Sequence, residues 1–391
     1  MILKNARIIS PKNNIDGIFD IEIENGIISK VGKIDSCGID LKGKIVAPGF
    51  IDMHCHLREP GFEDKETIET GVESALAGGY TAICPMANTY PKVDSVETLK
   101  YTIDKAKGIG FFPFAALSKK FEGKELTDFE ALLEVGAIGF SDDGIPVKNM
   151  ELLEEALKQD VLISSHSEDY DYKDMPESEY LTVKKELEVV KRLGARYHFA
   201  HISTKESIEL IRQAKNEGVK VTCETALHYF VFDKSMVNLE NGIYKVNPPL
   251  RKKADIEAVI EGLKDGTIDA IATDHAPHLI EEKLKPFNKS PYGFTGFETA
   301  IGLSFTYLKD YLSFSEIISK FTVNPAKILG LVNYGIIEEG KKANLTIIDP
   351  DFEWVVKASK FKSKCKISPF EGLKLKGKPI ATIIEGKYNE I

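Results

Sequence analysis

Residues 47–61 read Ala47-Pro-Gly-Phe-Ile-Asp-Met-His-Cys-His-Leu-Arg-Glu-Pro-Gly61. The apolar run that ends at His56 predicts a short strand, in which side chains alternate between two faces. We therefore expect His54 and His56 on one face, where two imidazoles can bind one metal ion. Such a pair also occurs by chance, so further ligands are needed to support a metal site. Arg58 follows two residues later, and an arginine fork can hold a carboxylate bidentately.

Seven further apolar segments are similar to this strand, and stretches with helical periodicity separate them. The eight predicted strands are Gly49–His56, Tyr80–Asn88, Phe111–Leu117, Ala137–Asp142, Val161–His166, Tyr197–Ile202, Lys220–Thr225 and Ile268–Asp274. The predicted helices are Lys65–Ala77, Val93–Ala106, Asp128–Val135, Asn149–Lys158, Glu177–Leu193, Lys205–Asn216 and Ala254–Lys264. Eight strands alternating with helices predict an α/β fold, a (β/α)8 TIM-type barrel, over an open sheet.

Histidines and carboxylates gather at the predicted carboxyl ends of these strands. They are His54, His56, Asp142, Asp143, His166, His201 and Asp274, and the amide Asn88 ends the second strand in the same way. The carboxyl ends of all strands in a barrel surround one mouth, where barrel enzymes build their active sites. Imidazoles and carboxylates without a thiolate suit Zn²⁺, with Mn²⁺, Co²⁺ or Fe²⁺ as alternatives. Four histidines and two aspartates exceed the needs of one catalytic metal, so we expect two Zn²⁺ per subunit.

Both chain ends have a different pattern from the middle. Residues 1–46 and 340–391 alternate polar and apolar side chains, with turn residues between the short runs. We expect these ends to pair into one small β-domain. Residues 47–339 are expected to form the metal-dependent barrel with its C-terminal helices.

Composition excludes several classes of function. The 391 residues carry a net charge of −9, and no basic cluster is typical of a nucleic-acid surface. No apolar stretch approaches the ~20 residues that cross a bilayer, and the N-terminus does not read as a signal peptide. Five scattered cysteines predict neither a disulfide framework nor a thiolate zinc site. We expect a cytoplasmic protein that binds neither nucleic acid nor membranes.

Two long motifs are specific: His54-Cys-His-Leu-Arg-Glu-Pro-Gly61 and Thr273-Asp-His-Ala-Pro-His278. They resemble the HxHLREPG and TDHAPH signatures of dihydroorotases, members of the cyclic amidohydrolase superfamily. The resemblance continues through Met86-Ala-Asn-Thr89, Phe140-Ser-Asp-Asp-Gly144, His201-Ile-Ser-Thr204, Asn247-Pro-Pro-Leu-Arg251 and Pro291-Tyr-Gly293. It covers essentially the whole chain. Ala87 and Tyr292 depart from the usual proline and phenylalanine of the family without removing a polar group.

The resemblance implies two metal ions with separate ligand sets. His54, His56 and Asp274 would bind one ion, and His166 and His201 the other.

The resemblance also concerns the group that bridges the two ions. Many relatives use a carboxylated lysine, but residues 139–144 contain none. This is similar to the class I dihydroorotases, in which an aspartate bridges. We favour Asp143 over Asp142 as the bridge because the second aspartate matches that branch.

The activity that the resemblance implies is the reversible cyclisation of N-carbamoyl-L-aspartate to (S)-dihydroorotate in de novo pyrimidine (UMP) biosynthesis. A hydroxide between the metals would attack the ring amide, with Asp274 as general acid and base. The implied substrate contacts are Arg58, Asn88, Asn247, His278, Tyr292 and Gly293. The first two and His278 would hold the ring carboxylate, and the others the opposite amide edge.

Other functions differ from this one at particular residues. Dihydropyrimidinases, hydantoinases and allantoinases open neutral rings, against which Arg58 and an aspartate bridge both argue. A non-catalytic scaffold relative would have lost metal ligands, whereas all six are present. Some dihydroorotases associate with aspartate transcarbamoylase, but this sequence determines neither that partner nor the oligomeric state. His198, His228 and His275 are interpreted as structural residues.

Overall fold

The computed structural model describes residues 1–391, which form mixed α and β structure. The strands are β1 Ile2–Ser10, β2 Ile15–Glu24, β3 Ile27–Gly32, β4 Ile39–Asp40, β5 Ile45–Pro48, β6 Phe50–Cys55, β7 Tyr80–Pro85, β8 Gly110–Phe111, β9 Phe114–Ala115, β10 Gly139–Phe140, β11 Ser164–Ser165, β12 Tyr197–Phe199, β13 Val221–Ala226, β14 Ala270–Ala272, β15 Leu345–Val355, β16 Lys374–Ile384 and β17 Lys387–Glu390. The α-helices are α1 Ile68–Ala77, α2 Val96–Lys105, α3 Phe129–Val135, α4 Met150–Leu157, α5 Pro176–Leu193, α6 Lys205–Asn216, α7 His228–Val231, α8 Lys253–Asp265, α9 Ile280–Lys283, α10 Ala300–Tyr307, α11 Phe314–Ser319 and α12 Val323–Leu329.

One mixed sheet brings the two chain ends together. Its strand order is β17-β16-β15-β5-β1-β2-β3, with β4 beside β1. The C-terminal strands join the N-terminal ones directly, because β15 pairs antiparallel with β5. Alternate residues of these strands point to one face, where they contribute to a separate core of 14 buried apolar residues.

The remaining strands pair in parallel. β6, β7 and β8 are neighbours in that order, β9 pairs with β10, and β11 to β14 pair in sequence. A bridge between Phe140 and Ile163 links β10 to the segment before β11. A second bridge, between Cys55 and His275, links β6 to the segment after β14. The first and last parallel strands are therefore neighbours.

Each of the eight predicted strands of the central region contains observed strand residues, although most are shorter than predicted. The predicted strand Phe111–Leu117 is divided into β8 and β9 around Pro113, whose nitrogen has no hydrogen to donate to a neighbouring strand. The helices agree more closely with the sequence pattern. Helix α6 has the predicted bounds, and it begins after Thr204, whose side chain accepts a backbone hydrogen bond from the first turn.

The main core contains 68 buried residues, most of them from the parallel strands and the helices and loops around them. Phe129 of α3 stacks on Phe140 of β10, with ring centroids 3.7 Å apart. Because helices cover these strands, the polar residues beyond the strands' carboxyl ends are the ones left to form a site. None of the twelve helices combines the length and the apolar character that crossing a bilayer requires.

Candidate metal centre

Five buried side chains converge at or just beyond the carboxyl ends of four parallel strands. His54, His56 and Asp143 form one group whose ligand atoms all lie within 4.8 Å of one another. Asp143, His166 and His201 form a second group by the same measure. Asp143 belongs to both groups, so its carboxylate lies between two sets of imidazoles.

The carboxylate of Asp143 is close to all four imidazoles. Its Oδ1 lies 3.2 Å from His201 Nε2, 3.4 Å from His54 Nε2 and 3.5 Å from His166 Nδ1. Its Oδ2 lies 3.5 Å from His56 Nε2. The Asp143 carboxylate therefore lies within 3.5 Å of imidazole nitrogens from both groups, as a ligand shared by two metal ions must.

Asp142 is turned away from the histidines. Its Oδ1 accepts hydrogen bonds from the backbone N–H groups of Leu117 and Ser118, at 2.8 and 3.0 Å. Burial raises the pKa of Asp142 to about 6, although these hydrogen bonds oppose the shift. Of the two adjacent aspartates, only Asp143 contacts both histidine sets.

Asp274 lies beside the first histidine set but outside both groups. Its Oδ1 is 3.1 Å from His56 Nε2 and 3.8 Å from His54 Nε2. Burial raises the pKa of the Asp274 carboxyl, but the hydrogen bond with His56 and the charges of nearby imidazoles outweigh burial and hold it at about 2. Asp274 is therefore ionised at neutral pH.

Three residues of this region have left-handed backbone conformations. The φ angles are 33° at His201, 47° at Asp274 and 64° at Arg58. Non-glycine residues in that region cost of order 1–3 kcal/mol each, and they persist where the surrounding fold holds them. The conformations turn these side chains at the points where the chain leaves the strands.

The donor set fits a divalent cation. His54 Nε2 is buried without a hydrogen-bond partner, although an unsatisfied buried polar atom costs about 1–3 kcal/mol. The other ring nitrogen, Nδ1, lies 2.9 Å from Glu224 Oε1. A carboxylate at Nδ1 directs the free lone pair of Nε2 toward Asp143, and histidines that bind metals commonly have such a partner.

The histidine cluster opens into a cavity of about 130 Å³. Five of the six predicted substrate contacts line it: Arg58, Asn88, Asn247, Tyr292 and Gly293. Asn88 also contacts the histidine cluster, because its Oδ1 lies 3.0 Å from His56 Nδ1. The predicted substrate residues therefore border the predicted metal ligands.

The sixth predicted contact, His278, lies behind Arg58. The Arg58 Nε donates to the carbonyl oxygen of Pro277 at 3.1 Å, and a terminal guanidinium nitrogen lies 3.1 Å from His278 Nε2. Burial lowers the pKa of Arg58 to about 10, which leaves the guanidinium cationic at neutral pH. These contacts fix the orientation of the guanidinium at the cavity wall.

Comparison with known proteins places the chain in a family of hydrolases. Residues 45–388 match the Amidohydrolase family. The chain belongs to this family. It is 45% identical to the dihydroorotase of Acetivibrio thermocellus, over 99% of this chain and 98% of that one. It is 44% identical to the dihydroorotase of Ruminiclostridium cellulolyticum, over 99% and 97%.

Solved structures of the amidohydrolase family have the same overall fold. The L-hydantoinase (dihydropyrimidinase) from Arthrobacter aurescens aligns with a TM-score of 0.89 at 25% identity, covering 99% of this chain and 95% of its own. The D-hydantoinase (dihydropyrimidinase) from a Thermus species aligns with a TM-score of 0.87 at 26% identity, covering 99% and 94%. The same fold therefore occurs in proteins that are named for cyclic substrates other than dihydroorotate.

Sequence analysis missed two carboxylates that contact the histidine cluster. Glu224 of β13 lies beside His54, and Glu168 Oε2 lies 3.2 Å from both His166 Nε2 and Asn247 Nδ2. The available signal at Glu224 was a charged residue inside a predicted apolar strand, since a buried charge requires a partner. The position of Glu168, two residues after His166, carried no comparable signal.

The three histidines interpreted as structural lie outside the cluster. His275 stacks on Phe297 with ring centroids 4.1 Å apart. His198 Nδ1 lies 2.8 Å from the hydroxyl of Thr222. His228 is buried, and neither ring nitrogen has a hydrogen-bond partner.

Proposed function

We propose that the protein is a dihydroorotase, which reversibly cyclises N-carbamoyl-L-aspartate to (S)-dihydroorotate. The observation that carries the proposal is the position of Arg58, a partly buried cation on the cavity that members of both ligand groups also line. The dihydroorotate ring bears a carboxylate, whereas dihydrouracil and hydantoin rings do not. Relatives named dihydroorotase, 40–45% identical over 99% of this chain, support the same substrate.

We further infer a (β/α)8 barrel over residues 47–339 and a small β-domain from residues 1–46 and 340–391. The pairing between β6 and the segment after β14 supports a closed set of eight parallel strands. The mixed sheet of both chain ends supports the small domain. Because β5 continues to Pro48, it favours a boundary two residues later than the sequence pattern suggested.

We assign two Zn²⁺ ions to the cluster. The proposed ligands are His54, His56, Asp143, His166, His201 and Asp274. Bound there, zinc would polarise the amide carbonyl as a Lewis acid and lower the pKa of a water molecule. The membership of Asp143 in both groups supports two ions. A ligand set made only of imidazole nitrogens and carboxylate oxygens supports zinc.

Asp274 is the proposed general acid and base. Its ionised carboxylate lines the cavity beside His56, where it can accept the proton of the attacking water. It then returns that proton to the departing ring nitrogen. In the direction of synthesis, the same carboxylate takes the proton from the carbamoyl nitrogen.

The other cavity residues hold the substrate. The Arg58 guanidinium binds the ring carboxylate through charge-assisted hydrogen bonds, with Asn88 beside it and His278 orienting it. Asn247 and the backbone of residues 292–293 line the opposite wall of the proposed subsite, where they can read the amide edge of the ring. Such positioning lowers the barrier because the reacting groups meet in a fixed geometry.

The proposal is tested by offering four rings to the purified, zinc-loaded protein: dihydroorotate, dihydrouracil, hydantoin and allantoin. We expect the highest kcat/KM with dihydroorotate. A higher value with any neutral ring would favour a hydantoinase-like enzyme, and no turnover of any ring would favour a scaffold relative. Metal analysis of the same sample tests two zinc ions per subunit, and gel filtration with aspartate transcarbamoylase tests that association.

A further inference from the structure

A second cavity, of about 480 Å³, lies at the opposite ends of the strands that carry part of the metal centre. Its lining includes Leu162 before β11, Arg196 before β12, Val221 at the start of β13 and Asp269 before β14. These are the amino ends of four parallel strands, whereas the histidine cluster lies at the carboxyl ends. We call it the basal cavity. Its volume lies in the roughly 300–1,000 Å³ range of small-molecule sites.

The basal cavity is lined by four cationic side chains, Arg196, Lys220, Lys320 and Lys327. Three of them, Arg196, Lys220 and Lys327, are exposed and have no carboxylate within the 4.0 Å of an ion pair. The chain as a whole has a net charge of −9. The basal cavity is therefore locally positive in a protein that is negative overall. A concave surface with several unpaired cations concentrates small anions.

The fourth cation, Lys320, is built into the wall, with 5% of its surface exposed. Its Nζ donates to the carbonyl oxygen of Ile268 at 2.7 Å, which leaves further N–H groups of the ammonium available. The one carboxylate of the lining, Asp269, is already engaged. Its Oδ2 accepts from Lys215 Nζ at 2.5 Å and from the Cys223 N–H at 2.8 Å. Asp269 therefore does not neutralise the exposed cations.

The rest of the lining limits the class of anion. Leu162, Val221 and Ile328 form an apolar part of the wall. Arginine and lysine together suit phosphate oxygens, since the guanidinium supplies a planar fork and the ammonium a point charge. We propose that the basal cavity binds a small phosphorylated molecule, with its phosphate at the cations and its uncharged part against the apolar wall. A long polyanion is disfavoured, because the protein carries a net charge of −9 and would repel the part of the polyanion that extends outside the cavity.

The binding test uses calorimetry on the zinc-loaded protein with four probes: inorganic pyrophosphate, AMP, adenosine and citrate. We expect saturable binding of pyrophosphate or AMP that weakens as salt rises. AMP binding more tightly than pyrophosphate would support a nucleotide-like ligand, and the reverse would support a free polyphosphate. Citrate or adenosine binding as tightly as both phosphates would overturn the phosphate assignment, as would no binding of either phosphate at millimolar concentration.

The location is tested with the variant Arg196→Gln/Lys220→Gln/Lys327→Gln. The three side chains are exposed, so we expect the fold to survive, and circular dichroism checks it. Phosphate affinity should fall at least tenfold, while dihydroorotate turnover stays within twofold of the unmodified protein. Unchanged affinity would mean that the anion binds elsewhere and would overturn the proposal. If the triple variant does not fold, Lys220→Gln alone should weaken binding about threefold or more, and unchanged affinity there has the same meaning.

A matched control removes the same charge from other surfaces. Its three substitutions, at exposed lysines without ion pairs, are Lys107→Gln, Lys360→Gln and Lys387→Gln. The control should bind phosphate within twofold of the unmodified protein. An equal loss of affinity in the control would show that net charge, and not the basal cavity, determines binding.

Discussion

Replacement of Arg58 by lysine tests the substrate assignment most directly. The guanidinium contacts the Pro277 carbonyl and His278 at 3.1 Å each while it also borders the cavity. A lysine ammonium keeps the charge, but it has no planar fork and cannot keep both contacts while presenting two parallel donors.

The expected loss follows from the hydrogen bond that disappears. One hydrogen bond to a charged group contributes about 1.5–3 kcal/mol. At about 1.36 kcal/mol per factor of ten, kcat/KM for dihydroorotate should fall roughly 10- to 150-fold. The melting temperature should change little, since lysine keeps the charge and most of the aliphatic stem.

The assay follows ring opening of dihydroorotate spectrophotometrically, with thermal unfolding measured on the same samples. Arg192→Lys is the matched control, because Arg192 is exposed and pairs with Glu154 at 2.7 Å. The control should retain kcat/KM. A value for Arg58→Lys within threefold of the unmodified protein would refute the assignment of Arg58 to the substrate carboxylate.

Three further predictions concern the metal ligands and a buried histidine. Asp143→Asn should lower the bound metal measured by mass spectrometry to less than half, whereas Asp142→Asn should retain metal and lower the melting temperature; equal metal loss in both would contradict Asp143 as the bridge. Glu224→Gln should weaken metal binding about 10- to 100-fold in competition with a chelator, because His54 loses its orienting carboxylate; unchanged affinity would remove that role. Burial lowers the pKa of His228 to about 4 from an ordinary 6.5, so the unfolded chain binds the proton more readily between those values. Stability is then lost as pH falls from 6.5 toward 4, by up to about 3 kcal/mol. His228→Phe should flatten that part of a thermal-unfolding profile, and an unchanged slope would exclude His228 as its source.

Sequence reasoning succeeded where the evidence was local. The alternation of a strand was enough to predict that His54 and His56 share a face, and the helix at 205–216 followed from its periodicity. It was weaker at strand length: the break at Pro113 was a local signal that the prediction overlooked, and the short pairing of β11 depends on the neighbouring strands. It missed Glu224, which approaches His54 only when strands 170 residues apart in sequence come together.

The sequence by itself determined the order of strands and helices, the residue types available for a metal and the arginine beside them. Those properties depend on side-chain chemistry and on backbone periodicity, which neighbouring residues impose. The sequence favoured Asp143 over Asp142 only through a family resemblance, and the tertiary structure gave the physical difference, since one carboxylate faces four imidazoles and the other accepts backbone N–H groups. Only the tertiary structure brought together the cations of the basal cavity, two from the starts of strands and two from the region of α11 and α12. Distances between residues far apart in sequence are decided by how the strands pack, which no single segment of the chain contains.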